Sequence, residues 1–494
     1  MIESLLSGLG DILNVNVLLA LMLGIGIGYV VGSLPGLTTA VGMAVVLPFT
    51  FTMDPIAAIV MLVAIYVSGD YAAAIPGILV NAPGQPAAAI TAFDGYPMRM
   101  KGQAGEALTL SILSSGVGAL ISTILLIISA AGLAYIALAF GPAEYFALAT
   151  LGLALVTSLA SGSMTKAFIG LMIGLMIVTI GLDPITGVQR YVFTRGLIEG
   201  VPFLPALIGF FALSEVFIML ERHIKLNGDR IHKLQSPWRS VHTIFPFGKT
   251  IGRSSIIGFL IGVIPGAGAT IASLVSYSVA KRLSSEPESF GTGNPEGVVA
   301  SETANNAAGP GALAPLLSLG IPGSASAAIL IGALMIHGIN PGPLLFTRNP
   351  EIPYSIFASL LLGLPVMLLL GLLGTRLWVQ ITRLSPALVS TVVVSVCLLG
   401  AYTFNNSILA VWITVISGLA GYILRKLGVQ PAPIILALVL GGMLESNFRR
   451  GLRMSGDSVA FFFQQPLSAT ILVIAIIVFL LPLVQGLRVV FRKS

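Results

Sequence analysis

The sequence predicts an all-α polytopic membrane protein of about 12 spans, built as two inverted repeats with broken helices or re-entrant hairpins at the midplane. Three observations predict it. The chain of 494 residues is 56% hydrophobic and only 9% charged, with a mean hydropathy of +0.99. A soluble domain carries about 25% charged residues, so this chain cannot cover a water-facing surface and its solvent is lipid. A glycine-proline signature also occurs twice: Gly28-Tyr-Val-Val-Gly32-Ser-Leu-Pro35-Gly36 returns in the second half, without a gap, as Gly258-Phe-Leu-Ile-Gly262-Val-Ile-Pro265-Gly266. A second pair follows at a slightly larger shift: Asn81-Ala-Pro83-Gly84-Gln-Pro-Ala-Ala88-Ala89-Ile90 answers to Gly320-Ile-Pro322-Gly323-Ser-Ala-Ser-Ala327-Ala328-Ile329. Paired, Gly/Pro-interrupted apolar segments at matching places in two halves point to the binding site of a secondary transporter.

The elements follow in order. The first apolar run, 12–34, is expected to act as the insertion signal, because the N-terminus lacks the basic n-region of a cleavable signal peptide. Runs at 37–51, 55–80, 107–140, 143–160, 167–182 and 201–220 complete a first transmembrane repeat, 1–221. Residues 222–253 are polar and carry Arg222, Lys225, Arg230, Lys233, Arg239, Lys249 and Arg253, which reads as a basic linker between halves. The second repeat, 254–494, has runs near 254–280, 298–338, 353–375, 386–403, 407–424, 431–445 and 467–488. A polar insert at 281–297 accounts for the wider spacing between its two signatures. The 56 glycines and 29 prolines are tolerated in membrane helices and mark spans that are broken or closely packed.

Charge orients the chain. Residues 1–98 contain no lysine or arginine, whereas the linker holds seven and the C-terminal tail adds Arg488, Arg492 and Lys493. The positive-inside rule then places the N-terminus outside, in the periplasm, and the linker and C-terminus in the cytoplasm. The first signature is approached from outside and the second from the linker, so the halves should be inverted. Gly36 and Gly266 should then meet at mid-membrane depth about an axis in the membrane plane. The net charge of +6 lies in short loops, as at a cytoplasmic membrane face, and does not suggest a nucleic-acid partner. One cysteine, Cys397, excludes an internal disulfide and a cysteine-based zinc cluster.

The candidate chemistry sits at the breaks. Proline removes a helical hydrogen bond and glycine accepts any backbone angle. A broken membrane helix exposes backbone groups, which is tolerable only against protein or a water-filled cavity. Half-helix N-termini hold anions, and C-termini hold cations. Around the breaks stand Ser33, Thr38, Thr39, Thr270 and Ser273, then Asn81, Gln85, Ser324 and Ser326. One such motif would read as helix packing; four in a two-fold pattern read as a site. Gly36, Thr38, Thr39, Asn81, Pro83, Gly84, Gly266, Asn305, Asn306, Gly323, Ser324 and Ser326 are the substrate-binding candidates. No lysine or arginine lies near these motifs, so neutral groups are expected to hold the substrate. Ser301-Glu-Thr-Ala-Asn-Asn306 is polar enough within one span to line a pathway; the alternative is an interfacial loop over 296–306.

Asp70, inside the apolar stretch 55–80, could hold a coupling ion or pair with a basic loop residue. Asp70, Glu302 and Thr270 are the coupling-ion candidates. Sodium is favoured over a proton, because hydroxyl, amide and carbonyl groups outnumber acids around the breaks. Asp54-Pro55, Asp94-Gly95 and Asp183-Pro184 read as turns. Glu144, Glu215 and Glu445 stay ambiguous, and His337 reads as a hydrogen-bonding partner in a loop. No cofactor or metal site is expected. Gly248-Lys249-Thr250 ends like a phosphate-binding loop, but position 243 is Thr where the motif requires Gly. Four histidines without ligand spacing, and no nucleophile motif, argue against an intramembrane enzyme. A channel or pore component is the competing class, though two broken-helix pairs in one chain favour alternating access.

These residues resemble the TctA family, the large membrane subunit of the tripartite tricarboxylate transporters. The matching stretches are Pro35-Gly-Leu-Thr-Thr, Leu47-Pro-Phe-Thr with Met53-Asp-Pro, Asn81-Ala-Pro-Gly and Asp94-Gly-Tyr-Pro97. They continue through Gly258 to Thr270, Glu302-Thr-Ala-Asn-Asn306, Leu319-Gly-Ile-Pro-Gly-Ser324, His337-Gly-Ile-Asn-Pro-Gly-Pro-Leu344 and Gly442-Met-Leu-Glu-Ser-Asn-Phe-Arg-Arg450. The resemblance implies a carboxylate importer of the bacterial inner membrane, driven by a sodium or proton gradient. It also implies two partners, a small membrane subunit and a periplasmic solute-binding protein. Gly69-Asp70-Tyr71-Ala-Ala-Ala74 departs from the family's Tyr-Gly-Gly-Ser, and Ala82 stands where the family often has Thr.

Overall fold

The computed structural model describes residues 2–159, 163–183, 185–221 and 237–491. Most of the basic linker, 222–236, and Arg492 and Lys493 of the tail lie outside them. The protein is an all-α polytopic membrane protein. Among the described residues, eight helical stretches are long and apolar enough to cross a membrane, from Val15–Gly32 and Pro55–Val80 to Pro431–Met454. Shorter apolar helices stand beside them, among them Thr39–Thr52 and Ala325–Ile336. The run 167–182 closes differently from its reading as one apolar segment. Its helix stops at Val178, and Gly181–Leu182 pairs antiparallel with Gln189–Arg190.

Local sequence sets the helix ends. Asp54 caps Pro55–Ala72, accepting from the amides of Ile56 (3.0 Å) and Ala57 (3.3 Å), with proline in the first turn. Asn294 caps Pro295–Leu319 in the same way, accepting from the Glu296 amide at 2.7 Å. The two halves repeat these solutions. Asn81 (φ 54°) ends Ala74–Val80; its amide reaches Gly77 O at 3.2 Å, and that of Ala82 reaches Pro76 O at 3.3 Å. Its counterpart in the second half, Gly320 (φ 72°), ends Pro295–Leu319 with the Leu316 and Pro315 carbonyls accepting at 3.0 and 3.2 Å. Both are Schellman closures, which need a left-handed residue.

Helix contacts repeat as well. Val15–Gly32 lies along Pro55–Ala72 so closely that a Cβ on Gly28 or Gly32 would come nearer than 3.0 Å to the carbonyls of Ile65 and Gly69. Gly258 and Gly262, the matching glycines of the second half, meet the carbonyls of Ala304 and Ala308 in the same way. Ala304 and Ala308 are themselves the counterparts of Ile65 and Gly69, at the same shift that relates Asn81 to Gly320. Small residues let backbones approach where no hydrophobic drive exists between helices. Pro295–Leu319 is buried over nearly its whole length, so 296–306 is central helix and not an interfacial loop. Its polar residues keep it from the hydropathy of a lipid-facing span; burial against protein is what permits them.

Two acidic turn readings also change. Asp94 lies inside the helix Pro86–Met100, fully buried. Its Oδ1 accepts from the amides of Gly291, Gly293 and Asn294, each at 2.8 Å, and its Oδ2 accepts from Tyr277 OH at 2.8 Å. It therefore ties the polar insert 281–297 to the first half. Asp183 does form a turn, accepting from the amides of Ile185 and Thr186 at 2.9 Å and from Arg449 at 2.5 Å. Arg190 forks onto Glu445 at 2.6 and 3.2 Å, and Arg449 also meets Glu445 at 3.1 Å. The Thr186 and Ile185 amides, with Arg449, hold the Asp183 carboxyl well below the usual carboxylate range. A depressed carboxyl stabilises the fold above its unfolded pKa and loses that contribution as pH falls. Asp183→Asn is therefore expected to melt at lower temperature than wild type at neutral pH, with the gap closing below about pH 4. Melting curves in detergent across pH test this; a gap that persists in acid contradicts it.

Candidate functional site

All four glycine-proline breaks are non-helical. The chain leaves helix at Ser33 and resumes at Thr39, and leaves at Ile264 and resumes at Gly268. It also breaks between Val80 and Pro86, and between Leu319 and Ala325. Gly36 and Gly266 share φ +80°, and the matched pair Gln85 and Ser324 share an extended backbone at the start of the following helix. The following helix starts there, where first-turn N–H groups lack intrahelical partners, although Pro86 has no N–H to offer.

These ends converge on a cavity of about 320 Å³, within the size range of small-ligand sites. Five helix N-termini open on it. Thr38 and Val41 come from Thr39–Val46, Gln85 and Ala87 from Pro86–Met100, and Gly268 and Thr270 from Gly268–Leu283. Ser324 and Ser326 come from Ala325–Ile336, and Gln430 and Ala432 from Pro431–Met454. Matched positions line it in pairs: 38 with 268, 40 with 270, 41 with 271, and 85 to 87 with 324 to 326.

Asp70 stands on the wall. Its Oδ1 accepts from Thr39 Oγ1 at 2.7 Å, while its backbone carbonyl accepts from Gln85 Nε2 and Asn305 Nδ2, both at 3.3 Å. Tyr66 OH and Ser324 Oγ share a hydrogen bond of 2.8 Å across the two halves. Tyr66 and Asn305 are again a matched pair, so each half sends one side chain toward the other at the same level. Asp70 has no basic partner among the described residues; its ordering comes from neutral groups.

The sequence-predicted residues divide. Thr38, Asp70, Gly266, Thr270, Gly323, Ser324 and Ser326 line the cavity. Thr39 and Asn305 stand behind the wall, through Asp70. Asn306 and Glu302 form a separate buried group. Thr91 Oγ1 donates to Glu302 Oε1 at 2.6 Å, and Ser115 Oγ to Oε2 at 3.0 Å. Asn306 Nδ2 reaches Ser115 Oγ at 2.8 Å, and the side-chain oxygens of Asn305 and Asn306 have no partner among the described residues. Gly36, Asn81, Pro83 and Gly84 are not in the lining. Asn81 is the exposed left-handed cap, and Gly84 is packed on the Gly32 carbonyl. These four build the breaks and do not face the cavity.

The expectation that only neutral groups are available is corrected. Arg425 lies in the lining and pairs with Glu215, which lines it too. Sequence proximity could not find Arg425, because it ends the helix Ile408–Lys426, far along the chain from every break. Gln430 and Phe211 were missed for the same reason, and Tyr66, one turn before Asp70 in Pro55–Ala72, was missed because no local signal marks it.

The family model described as the tripartite tricarboxylate transporter TctA family matches residues 18–436. The chain belongs to the TctA family. This TctA-family chain is 36% identical over 472 residues to an uncharacterized 52.8 kDa protein in the TAR-I ttuC' 3'region of Agrobacterium vitis, covering 94% of this chain and 93% of that one. It is 37% identical over 231 residues to an uncharacterized protein in the TAR-II ttuC' 3'region of the same organism, covering 47% of this chain and 96% of the relative. No solved structure matches the TctA chain. The family is one of transporter subunits, which accords with a cavity enclosed by broken helices.

In this TctA fold Asn305 donates to the backbone carbonyl of Asp70, and its effect on transport is testable. Asn305→Ala removes a buried donor, a loss of ~1–3 kcal/mol. Uptake should fall by roughly tenfold while the protein reaches the membrane at wild-type levels. Wild-type uptake by a correctly inserted variant would take Asn305 out of the site.

Proposed function

We propose that this chain is the large membrane subunit of a secondary active, binding-protein-dependent importer of di- or tricarboxylates, driven by cation symport. The observation that carries the reading is the convergence of five helix N-termini on one cavity. Each N-terminus acts as roughly half a positive charge, a setting that favours a carboxylate. Pro86, Pro431 and Pro433 carry no N–H, and Thr38 and Ser324 already accept from Val41 and Ala327, so the dipoles contribute more than free amides do. Thr38, Ser324, Ser326 and Thr270 add hydroxyls at that end, and Gly266 and Gly323 let the backbone approach.

Charge balance supports symport. The described lining holds two carboxylates, Asp70 and Glu215, against one guanidinium, Arg425. A multiply charged anion entering that wall needs added positive charge. We assign the coupling role to Asp70 and Glu302, with Thr270 a further oxygen ligand at the cavity. A fully buried carboxylate such as Glu302, served by neutral donors alone among the described residues, is expensive unless a cation or proton joins it. Sodium is favoured, since hydroxyl, amide and carbonyl oxygens suit it. The matched contacts in the two halves support an internal repeat, and the absence of lysine and arginine from residues 1–98 supports its inversion, with the N-terminus periplasmic and the C-terminus cytoplasmic in the bacterial inner membrane. A small membrane subunit and a periplasmic solute-binding protein complete the transporter.

The test is uptake of radiolabelled citrate or succinate into proteoliposomes carrying both membrane subunits, with the binding protein outside and an imposed sodium or pH gradient. Saturable accumulation that collapses with the ion gradient is expected. Flux that never saturates and ignores the gradient would instead make the protein a channel.

A further inference from the structure

Arg425 and Glu215 both line the cavity, with side chains 21% and 10% exposed, and they pair with each other there. A helix-to-helix salt bridge has an ordinary explanation, that it holds the helices Ser214–Glu221 and Ile408–Lys426 together. The contacts around it already do that. Lys426 pairs with Glu221 farther along the same two helices. Gly418 and Gly421 bring the backbones close, with a Cβ on Gly421 meeting Ser214 Cβ at 3.0 Å and one on Gly418 meeting Leu213. The helices would stay packed without Arg425.

We propose that Arg425 is a carboxylate ligand of the transported anion and that Glu215 is its resting counter-ion, displaced when the anion binds. The inference rests on the carboxylate reading of the cavity and sharpens it. A guanidinium presents a planar fork that fits two carboxylate oxygens side by side. Gln430 and the N-terminus of Pro431–Met454, where Ala432 carries the one N–H of the first three residues, lie a few residues beyond Arg425 and face the same cavity. A di- or tricarboxylate could thus place one carboxylate on Arg425 and another on the N-termini that carry Thr38 and Ser324. Glu215 takes Nη1 of that fork and neutralises the arginine. An anion of single charge would have to displace Glu215 for one contact; an anion with two or three carboxylates gains a second anchor. The pair therefore selects for multiply charged substrates.

The two partners make opposite predictions. Arg425→Gln removes the ligand and leaves Glu215 unpaired in the wall, where it repels the anion. Glu215→Gln leaves Arg425 without its competitor. Citrate and succinate binding to the full chain is measured by calorimetry in detergent, beside melting temperatures of every variant. Arg425→Gln should weaken citrate binding by more than about tenfold, and Glu215→Gln should tighten it by roughly threefold or more. Arg425→Lys, keeping charge but losing the fork, should lie between wild type and Arg425→Gln. Both glutamine variants break the same bridge, so a purely structural bridge would move binding and melting in the same direction for both. That outcome, or no change in binding for either, overturns the assignment of Arg425 and leaves the carboxylate reading standing. If wild type binds neither citrate nor succinate, the carboxylate reading falls and Arg425 falls with it.

Discussion

Gly262→Leu is expected to leave almost no transporter in the membrane, whereas Gly26→Leu is expected to express and transport normally. Both glycines lie on apolar helices of the same signature type, and composition does not separate them. At Gly262 a Cβ would fall closer than 3.0 Å to the carbonyl oxygen and Cα of Ala308 in the central helix Pro295–Leu319. These are backbone atoms, so no side chain can rotate aside. Overpacking a core costs ~1–3 kcal/mol where side chains can adjust, and here the whole helix must move. Pro295–Leu319 also carries Glu302, Asn305 and Asn306, so displacement there disturbs the site as well as the fold. Gly26 has nothing within 4 Å of its would-be Cβ. Quantifying each variant in the membrane fraction, then its uptake, gives the comparison. Equal levels of the two variants would show that the close crossing is not needed for folding.

The contrast explains how far the fold was legible. Spacing alone revealed the two repeated signatures, because glycine and proline act locally on the backbone wherever they stand. The Schellman caps at Asn81 and Gly320 and the positive φ of Gly36 and Gly266 follow directly from residue type. Hydropathy, by contrast, reports what faces lipid. It therefore misjudged Pro295–Leu319, whose polar residues are buried against protein, so that 296–306 could read as loop. Asp94-Gly95 looked like a turn because that dipeptide usually caps one. Three amides and a tyrosine from the second half hold Asp94 inside a helix instead, and no local signal announces partners so distant in the chain.

The site divided along the same line. Residues at the C-terminal side of each break, such as Thr38, Ser324 and Ser326, face the cavity because the helix that follows starts there. Inside the first-half breaks Gly36, Pro83 and Gly84 are consumed in making the turn, whereas the second-half counterparts of the two glycines, Gly266 and Gly323, also reach the lining. Asn81 was grouped with the site through its motif, yet its left-handed conformation turns it out to an exposed cap. Arg425 and Glu215 come from helices with no signature of their own, and only tertiary packing brings them to the wall.

Asp70→Asn and Glu302→Gln are expected to abolish cation-driven accumulation, and the manner of failure separates the two carboxylates. Asp70 lies on the cavity wall, held by Thr39 at 2.7 Å. Its amide variant keeps the shape and most hydrogen bonds but loses a negative charge beside the substrate. Carboxylate binding should survive in Asp70→Asn, because repulsion falls, while its dependence on sodium disappears. Glu302 is behind the wall, enclosed by Thr91, Ser115 and Asn306. Glu302→Gln should also lose accumulation, but sodium should still promote substrate binding if Asp70 holds the ion nearest the substrate. Removing a partner from a buried charged cluster costs about 3–5 kcal/mol, which corresponds to a loss of roughly two to four orders of magnitude in ion affinity. The measurement is uptake at fixed pH with sodium replaced by choline, for wild type and both variants, beside sodium-dependent substrate binding. Sodium coupling requires wild-type uptake to collapse in choline. Undiminished uptake in choline, abolished by either substitution, would transfer the coupling role to protons carried by that carboxylate. Full accumulation by both variants would remove Asp70 and Glu302 from coupling altogether. The cation would then have to be held by hydroxyl and backbone oxygens around Thr270 and the breaks, where the described wall has no other acid but Glu215.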